Sequence, residues 1–346
     1  MKKLLFTLSL ILTFNAFADQ FPSCGENCTY TLKENGTDKN GNTAYLLTIE
    51  PIDATKSATM KSYSRYGYPQ TGTDYAPWRF DNVTEVVVKE GIETIEYGCF
   101  SDMYGITKVT LSEGLKTLGG LALNGTSITS INLPSTLTSI GAWGLATSTL
   151  QEINEIPSAV QSIDQYAFSL NQMSDLVISP NVKMLSPYAF GTSSIPINNL
   201  YCEKSIANRC AEAIQNVSET AQVKSYEFEN GVYILKDDEG NETYYLSGNN
   251  MKNGENAAPE DKAQYTCQNL NSCKAEVLKN EGICDIEECN ALVASANDGK
   301  LLKVGSKTYQ SLDALLKGNY DKRRIYTIEE ANFVAGDKNR VSITYR

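Results

Sequence analysis

The stretch ITSINLPSTLTSIGAWGL, residues 128–145, decides the fold because its pattern recurs along the chain. From Ile128 to Leu133 the order is apolar-x-x-apolar-x-apolar, which predicts a short strand whose side chains alternate between two faces. A Pro turn and a second apolar beat follow, and the unit ends with a small residue beside a large one, Gly144 and Leu145. The small residue lets two backbone turns approach, and the large one fills the core between layers.

Copies of this unit follow one another at a fixed spacing of 22 or 23 residues. A single copy cannot bury its own apolar faces, so neighbouring copies must stack, and a period of this length is typical of a solenoid. The small-residue position of the first copy holds Cys99, for which a buried, unpaired thiol is the expected state. The copies begin at Val83, Ile106, Ile128, Leu150 and Met173, and a further beat begins at Ile195.

These units resemble the BspA-like leucine-rich repeats, whose pattern is roughly I-x-x-I-x-I-P-x-x-V-x-x-I-G-x-x-A-F. The resemblance extends over about residues 24–210, because CGENCTYTL at 24–32 and APW at 76–78 look like the small β cap that precedes such arrays. It implies a β-rich solenoid of short parallel strands. It also implies a bacterial protein of the cell surface or secretome that binds proteins of a host or neighbouring cell, in some cases as an adhesin.

The N-terminus has the order of a secretory signal. Lys2 and Lys3 precede an apolar run at 4–14, and Ala16 to Ala18 form an A-x-A cleavage site. That run is too short to span a bilayer, and no later segment is apolar for long enough to do so. We therefore expect residues 1–18 to be a signal peptide and the protein to be exported, to the medium, the cell surface or the periplasm.

The cysteines fit an oxidising compartment, where disulfides are the usual state. Cys24 and Cys28 are neighbours in sequence, as are Cys202 and Cys210, so each pair is a predicted bridge. A zinc site is the alternative for the third group, but its spacing lacks the C-x-x-C arrangement of zinc knuckles. Two bridges are predicted within that group, with the connectivity left open: Cys267, Cys273, Cys284 and Cys289.

The domain organisation follows from these signals. An N-terminal β cap at 19–82 precedes the solenoid with its C-terminal cap at 83–215. Next come a hairpin and a Cys-rich helical region at 216–298, and then a small α/β module at 299–346. Within these last two parts, the Gly- and Asn-rich segment 247–261 is predicted as a loop, and 328–336 as a helix.

Composition argues against most catalytic and nucleic-acid functions. The formal charge is −11 and the chain contains no His, which removes Ser-His-Asp and Cys-His nucleophile pairs and His-ligated zinc. A carboxylate-pair glycosidase stays conceivable, but the acidic residues carry no motif for it. We expect no enzyme activity, no cofactor, no metal and no nucleic-acid partner; the oligomeric state is not defined by the sequence.

The candidate binding residues are the outward-facing positions of the first strand of each repeat. Inward positions are occupied by core residues, so only the outward ones are free to vary without unfolding the array. One row comprises Glu85, Lys108, Ser130, Glu152 and Asp175, and the other comprises Val87, Thr110, Asn132, Asn154 and Val177.

Two functions from different classes are consistent with this pattern. The first is an exported recognition or adhesion protein whose repeat sheet binds a protein or a glycan. The second is a structural envelope or surface-layer protein in which the solenoid is a spacer and the C-terminal module makes the contacts. The two differ in where a partner binds.

Overall fold

A computed structural model of the protein describes residues 22–63, 75–147, 149–153, 155–191, 197–215, 217 and 220–318, together with the backbone of 328–333 and 341–345. The predicted signal peptide at 1–18 lies outside these residues. The chain forms two compact units, one of 1–173 with 181–196 and the other of 174–180 with 197–346.

The first unit is built from two stacks of short parallel strands, one for each apolar beat of the repeat. The first-strand stack pairs β3 with β5 and β5 with β7, and, separately, β9 with β11. The second-strand stack runs in the order β4, β6, β8, β10, β12, β14. The strands are β3 (Thr43–Pro51), β4 (Ala58–Met60), β5 (Val83–Val88), β6 (Ile92–Ile95), β7 (Lys108–Leu111), β8 (Thr117–Leu118), β9 (Ser130–Ile131), β10 (Ser139–Ile140), β11 (Glu152–Ile153), β12 (Ser162–Ile163) and β14 (Met184–Leu185).

The N-terminal cap closes the first end of this array. β1 (Ser23–Glu26) pairs antiparallel with β4, β2 (Cys28–Thr37) pairs antiparallel with both β1 and β3, and the two stacks thereby join in one eleven-stranded sheet. The first strand stack therefore begins on a paired strand rather than an open edge, which protects the end of the solenoid from unwanted strand addition.

The core between the stacks is a set of aligned side-chain columns. The large residues that end each repeat are fully buried, and Phe168 stacks on Phe190 with ring centroids 5.7 Å apart. Trp78, which the sequence assigns to the cap, stacks on Phe100 at 5.8 Å and is therefore the first member of this column. Each such side chain contributes about 1.5–3 kcal/mol on burial. The column comprises Trp78, Phe100, Leu123, Leu145, Phe168 and Phe190.

Backbone hydrogen bonds hold the columns in register. The N–H of Leu123 donates to the Gly144 carbonyl and that of Leu145 to the Ala167 carbonyl, both at 3.0 Å. The same bond recurs between the other turns, which explains why the small residue precedes the large one in every repeat: a bulky side chain there would separate the turns. Cys99 occupies this position, is free and buried as predicted, and burial raises the pKa of its thiol.

The second unit continues from the first strand of the fifth repeat into a mixed five-stranded sheet in the order β13-β15-β16-β17-β18. β15 and β16 pair in parallel across the boundary that the sequence places at 215/216, so the sheet itself is not divided there. The hairpin predicted within 216–298 is formed by β17 and β18, which turn at Asp237–Asn241. The strands are β13 (Asp175–Val177), β15 (Asn199–Glu203), β16 (Gln222–Glu229), β17 (Val232–Lys236) and β18 (Glu242–Tyr245).

The described residues of this unit form five α-helices: α1 (Ala207–Ile214), α2 (Gly248–Asn256), α3 (Leu270–Asn280), α4 (Ile286–Asn297) and α5 (Leu312–Leu316). Asp285 caps α4 by accepting a hydrogen bond from the Glu288 backbone N–H. The segment predicted as a loop contains α2, which is a correction. The segment predicted as a helix at 328–336 is also corrected, because Ile328–Phe333 (β21) is a strand that pairs with Val341–Tyr345 (β22). β19 (Leu302–Val304) and β20 (Lys307–Tyr309) form a hairpin.

Four disulfides connect residues that are close in sequence. Cys24–Cys28 and Cys202–Cys210 are the predicted bridges. Cys202 lies in β15 and Cys210 in α1, so this bridge joins the last repeat strand to its capping helix. The connectivity that the sequence left open is Cys267–Cys273 and Cys284–Cys289.

Candidate functional site

The outward face of the first-strand stack in the first unit has the predicted alternation. Val86, Val109, Ile131 and Ile153 are buried at 8% exposure or less, whereas the described residues on either side of them are half-buried or exposed. Strand pairing aligns the candidates in rows: Glu85 opposite Lys108, Val87 opposite Thr110, and Ser130 opposite Glu152. The exposed members are Lys108, Thr110, Ser130, Asn132 and Glu152, and Glu85 and Val87 are half-buried.

The charges on this face are partly paired. The Lys108 Nζ lies 2.6 Å from the Glu85 Oε1, and the Asn35 Nδ2 donates to the Glu85 Oε2 at 3.3 Å. Because the Lys108 side chain is two-thirds exposed, the ion pair contributes about 0–1 kcal/mol to stability and leaves the ammonium accessible to a partner. The face is therefore polar, and its charges lie on a fixed support.

Two of the remaining three candidates, Val177 and Asp175, lie in the second unit and are less exposed than predicted. Val177 is buried at 6% exposure, so the expectation that it faces solvent is wrong. Asp175 is half-buried and accepts hydrogen bonds from the side chains of Asn199, at 2.6 Å, and Asn256, at 3.2 Å. Asn154 lies outside the described residues.

The reason for the burial of Val177 is a cover formed by later segments of the second unit. Val177 packs in a cluster with Tyr201, Tyr226, Tyr245 and Met251, and Met251, which belongs to α2, is fully buried. In the second unit, the face of the sheet that carries Val177 is thus packed against other parts of the same unit and is not exposed.

Two hydroxyl groups of this cluster are hydrogen-bonded, one to the surrounding backbone and one to Glu255. The Tyr226 hydroxyl donates to the Ile178 carbonyl at 2.6 Å, and the Tyr245 hydroxyl donates to the Glu255 Oε1 at 3.1 Å. Burial, followed by the nearby Glu255 carboxylate, raises the pKa of both Tyr201 and Tyr245. Both phenols therefore stay neutral at physiological pH, which suits a structural role in the core.

An aromatic column lies on the turns after the second strands, at a position that the sequence reasoning missed. Trp143 stacks on Tyr166 with ring centroids 4.6 Å apart, and Tyr166 stacks on Tyr188 at 6.2 Å. Trp143 and Tyr166 adopt left-handed backbone conformations, with φ of 60° and 59°. The sequence does indicate this column, because an aromatic residue directly precedes the small residue in three successive repeats.

A shallow groove of about 440 Å³ follows the outward face of the second-strand stack. Its lining includes the aligned hydroxyl residues Thr117, Ser139 and Ser162, and Met184, which is 66% exposed, continues the row. Among the described residues, no group of three or more Cys, Asp or Glu side chains is placed to hold a metal ion. In the same part of the chain, no helix is both long and apolar enough to cross a membrane.

Comparison with known proteins agrees with this architecture. Residues 74–196 match the family described as BspA type leucine-rich repeat region, in six copies. The match begins before Trp78, which is consistent with its place at the start of the large-residue column. Residues 74–196 thus consist of BspA type leucine-rich repeats, and this region forms a β-solenoid of about six turns.

Solved structures share the repeat at low identity. A leucine-rich repeat protein from Eubacterium ventriosum is 19% identical, with a TM-score of 0.33, over 60% of this chain and 48% of that one. A leucine-rich cell surface protein from Faecalibacterium prausnitzii is 13% identical, with a TM-score of 0.25, over 61% of this chain and 60% of that one. The chain thus spans about half the length of the first of these proteins. No curated protein matches this sequence.

Proposed function

We propose that the protein is an exported, non-enzymatic recognition or adhesion protein that binds a protein or glycan partner through the outward face of its first-strand stack. The observation that carries this proposal is the alternation along β5, β7, β9 and β11, where a polar residue of the outward face precedes each of the buried residues Val86, Val109, Ile131 and Ile153. A rigid support of this kind lowers the entropic cost of ordering contact residues on binding.

The burial of Val177 narrows the proposed surface to the first unit. Its contact residues are Glu85, Lys108, Thr110, Ser130, Asn132 and Glu152. They include no aromatic residue and no Arg, the side chains that most often dominate interface energies. We therefore expect modest affinity for each copy, with avidity from several copies at a surface.

The signal-like N-terminus and the four disulfides support export to the medium, the cell surface or the periplasm. A catalytic role has no support in the sequence, since the chain has no His and its carboxylates carry no glycosidase motif.

Charge reversal in the full chain tests the proposal. Lys108→Glu combined with Glu152→Lys is expected to weaken binding at least about fivefold. Both side chains belong to the proposed contact surface, and reversing their charges removes the charge complementarity with the partner. Binding is measured by surface plasmon resonance on immobilised mucin and extracellular-matrix proteins. The melting temperature should hardly change, since Lys108 forms only an exposed ion pair.

Lys116→Glu is the matched control. Lys116 also pairs with a Glu of the preceding repeat, at 2.9 Å from Glu93, but that pair belongs to the second-strand stack. If binding survives the double reversal and is lost in Asp313→Lys, on the exposed surface of α5, the partner binds the C-terminal module and the envelope-protein alternative replaces this proposal. Truncation at 215 is a poorer test, because it removes the strand that pairs with β15.

A further inference from the structure

A polar cleft of about 590 Å³ lies in the first unit, where the turn after β2 meets the segments that lead into β5, β7 and β9. Its volume is within the range of about 300–1,000 Å³ that is usual for small-molecule sites. Most lining side chains carry a hydroxyl or an amide, and they include Asn40, Asn82, Thr84, Thr107 and Ser127.

Among the described lining residues there is one carboxylate, that of Asp38, and its hydrogen bonds are already satisfied. Asp38 accepts hydrogen bonds from the backbone N–H groups of Asn40, at 2.8 Å, and Asn42, at 2.9 Å, and from the side-chain amides of Asn42 and Asn82. These bonds fix the turn that forms one wall. They also leave Asp38 little capacity to bind a cation. Lys39 is the one residue with an ammonium group among the described lining residues, and it is exposed.

The other walls are fixed by bonds between successive repeats. The Ser127 hydroxyl donates to the Tyr104 carbonyl at 2.7 Å, and the Thr107 hydroxyl donates to the Thr84 carbonyl at 3.3 Å. Each hydroxyl oxygen keeps lone pairs that a ligand hydroxyl can use. The cleft therefore presents hydrogen-bonding groups in a preorganised arrangement.

An exposed aromatic ring completes the cleft. Tyr104 is 68% exposed, and its hydroxyl lies 3.3 Å from the Asp102 Oδ1, to which it donates. Gly125 lies against the edge of this ring, because a Cβ at that position would approach the Tyr104 Cε1 to 3.3 Å. The ring is thus held in place while most of its surface is open to a ligand.

We propose that this cleft binds a neutral saccharide. Sugar hydroxyls both donate and accept hydrogen bonds, which suits a lining of hydroxyl and amide groups. The polarised C–H groups on one face of a pyranose suit the electron-rich face of Tyr104. A charged ligand fits the described lining less well, because the Asp38 carboxylate already accepts its hydrogen bonds and Lys39 supplies a single, exposed ammonium. The site shares no side chain with the strand face proposed above, so it stands independently of that proposal.

Saturation-transfer NMR on the full chain tests the assignment, with lactose, maltose, cellobiose and N,N′-diacetylchitobiose as probes. At least one disaccharide at about 5 mM is expected to show transfer, since weak single-site binding lies in the millimolar range. Tyr104→Ala should weaken that binding at least about fivefold through loss of the ring contact. Tyr104→Phe should retain it. The matched control is Tyr188→Ala, which removes a 45% exposed Tyr outside the cleft and should leave binding unchanged.

Three results would overturn the proposal. The first is the absence of transfer to any of the four neutral probes. The second is transfer that persists at full strength in Tyr104→Ala or that falls equally in Tyr188→Ala, which places the sugar elsewhere. The third concerns two further probes, glucuronic acid and triglycine. Binding of only one of these would show that the cleft is a site for an anion or for a peptide. The reversals at Lys108 and Glu152 should not affect saccharide binding, so failure of one proposal can be told from failure of the other.

Discussion

Gly141→Ala tests how closely neighbouring repeats must approach. A Cβ at Gly141 would lie 2.6 Å from the Gly120 backbone nitrogen and 2.8 Å from the Gly119 carbonyl carbon. Both atoms belong to the preceding repeat and to backbone that is hydrogen-bonded, since the Gly141 N–H donates to the Leu118 carbonyl at 2.7 Å. The added methyl group can therefore be accommodated only if two layers of the solenoid separate.

Overpacking of this kind costs about 1–3 kcal/mol. The lower entropy of the unfolded Ala variant offsets about 0.4–1 kcal/mol of this cost. Subtracting the second range from the first gives a net destabilisation of about 0–2.6 kcal/mol. We expect a value in the upper half of this range, because the added methyl group meets backbone atoms and not a flexible side chain. At about 2–4 °C per kcal/mol for a unit of this size, the melting temperature of the first unit should fall by about 3–10 °C.

Gly120→Ala is the control for this experiment. A Cβ there would meet the Tyr97 ring at 3.1 Å, and Tyr97 is 43% exposed and free to move aside. Its nearest backbone contact, with the Ala142 carbonyl oxygen at 3.3 Å, is longer than the 2.6 Å contact at Gly141. Calorimetry of the full chain should show a change below about 1 kcal/mol for this variant. Equal melting temperatures for the two variants, or a more stable Gly141→Ala protein, would refute the argument that backbone approach limits this position.

Three further outcomes are expected. Alkylation of the unreduced protein should label no thiol in the native state and one thiol after unfolding, because Cys99 is buried and the other cysteines are paired; labelling of several thiols by mass spectrometry would contradict the pairing. Met251→Ala should destabilise the second unit by about 2–5 kcal/mol in urea titration, since the side chain is fully buried beneath α2, whereas Lys252→Ala on the same helix should be nearly neutral. Hydrogen bonds, first among them that from the Asn42 backbone N–H, hold the pKa of Asp38 in the folded protein below its ordinary value. The ionised Asp38 carboxylate therefore stabilises the fold fully at a pH above its pKa in the unfolded chain, and this stabilisation is lost as the pH falls through its pKa in the folded protein. The difference in melting temperature between the wild type and Asp38→Asn should therefore be largest near neutral pH and shrink in acid; a difference that grows below pH of about 4 would contradict this sign.

The repeat could be predicted from the sequence because each copy interacts mainly with the next one. A spacing of 22 or 23 residues determines which residues stack, so the buried column through Phe100 and Phe168 and the free thiol of Cys99 are local consequences of the pattern. The bridges Cys24–Cys28 and Cys202–Cys210 were predictable for a similar reason, since their partners are near neighbours in the chain.

The extent of the exposed face was decided only by the tertiary structure. Period and alternation place Val177 on the outward side of its strand, as they place Val87, and nothing near it in sequence indicates a cover. The cover comes from α2, more than seventy residues later in the chain, in a Gly- and Asn-rich segment that reads as a loop. That segment is helical because the Ser247 side chain caps it, Met251 is buried, and Gly254 packs so closely on Tyr245 that a Cβ would lie 2.8 Å from the ring. Local propensity opposes this helix, and the burial that stabilises it exists only once the sheet beneath it has formed.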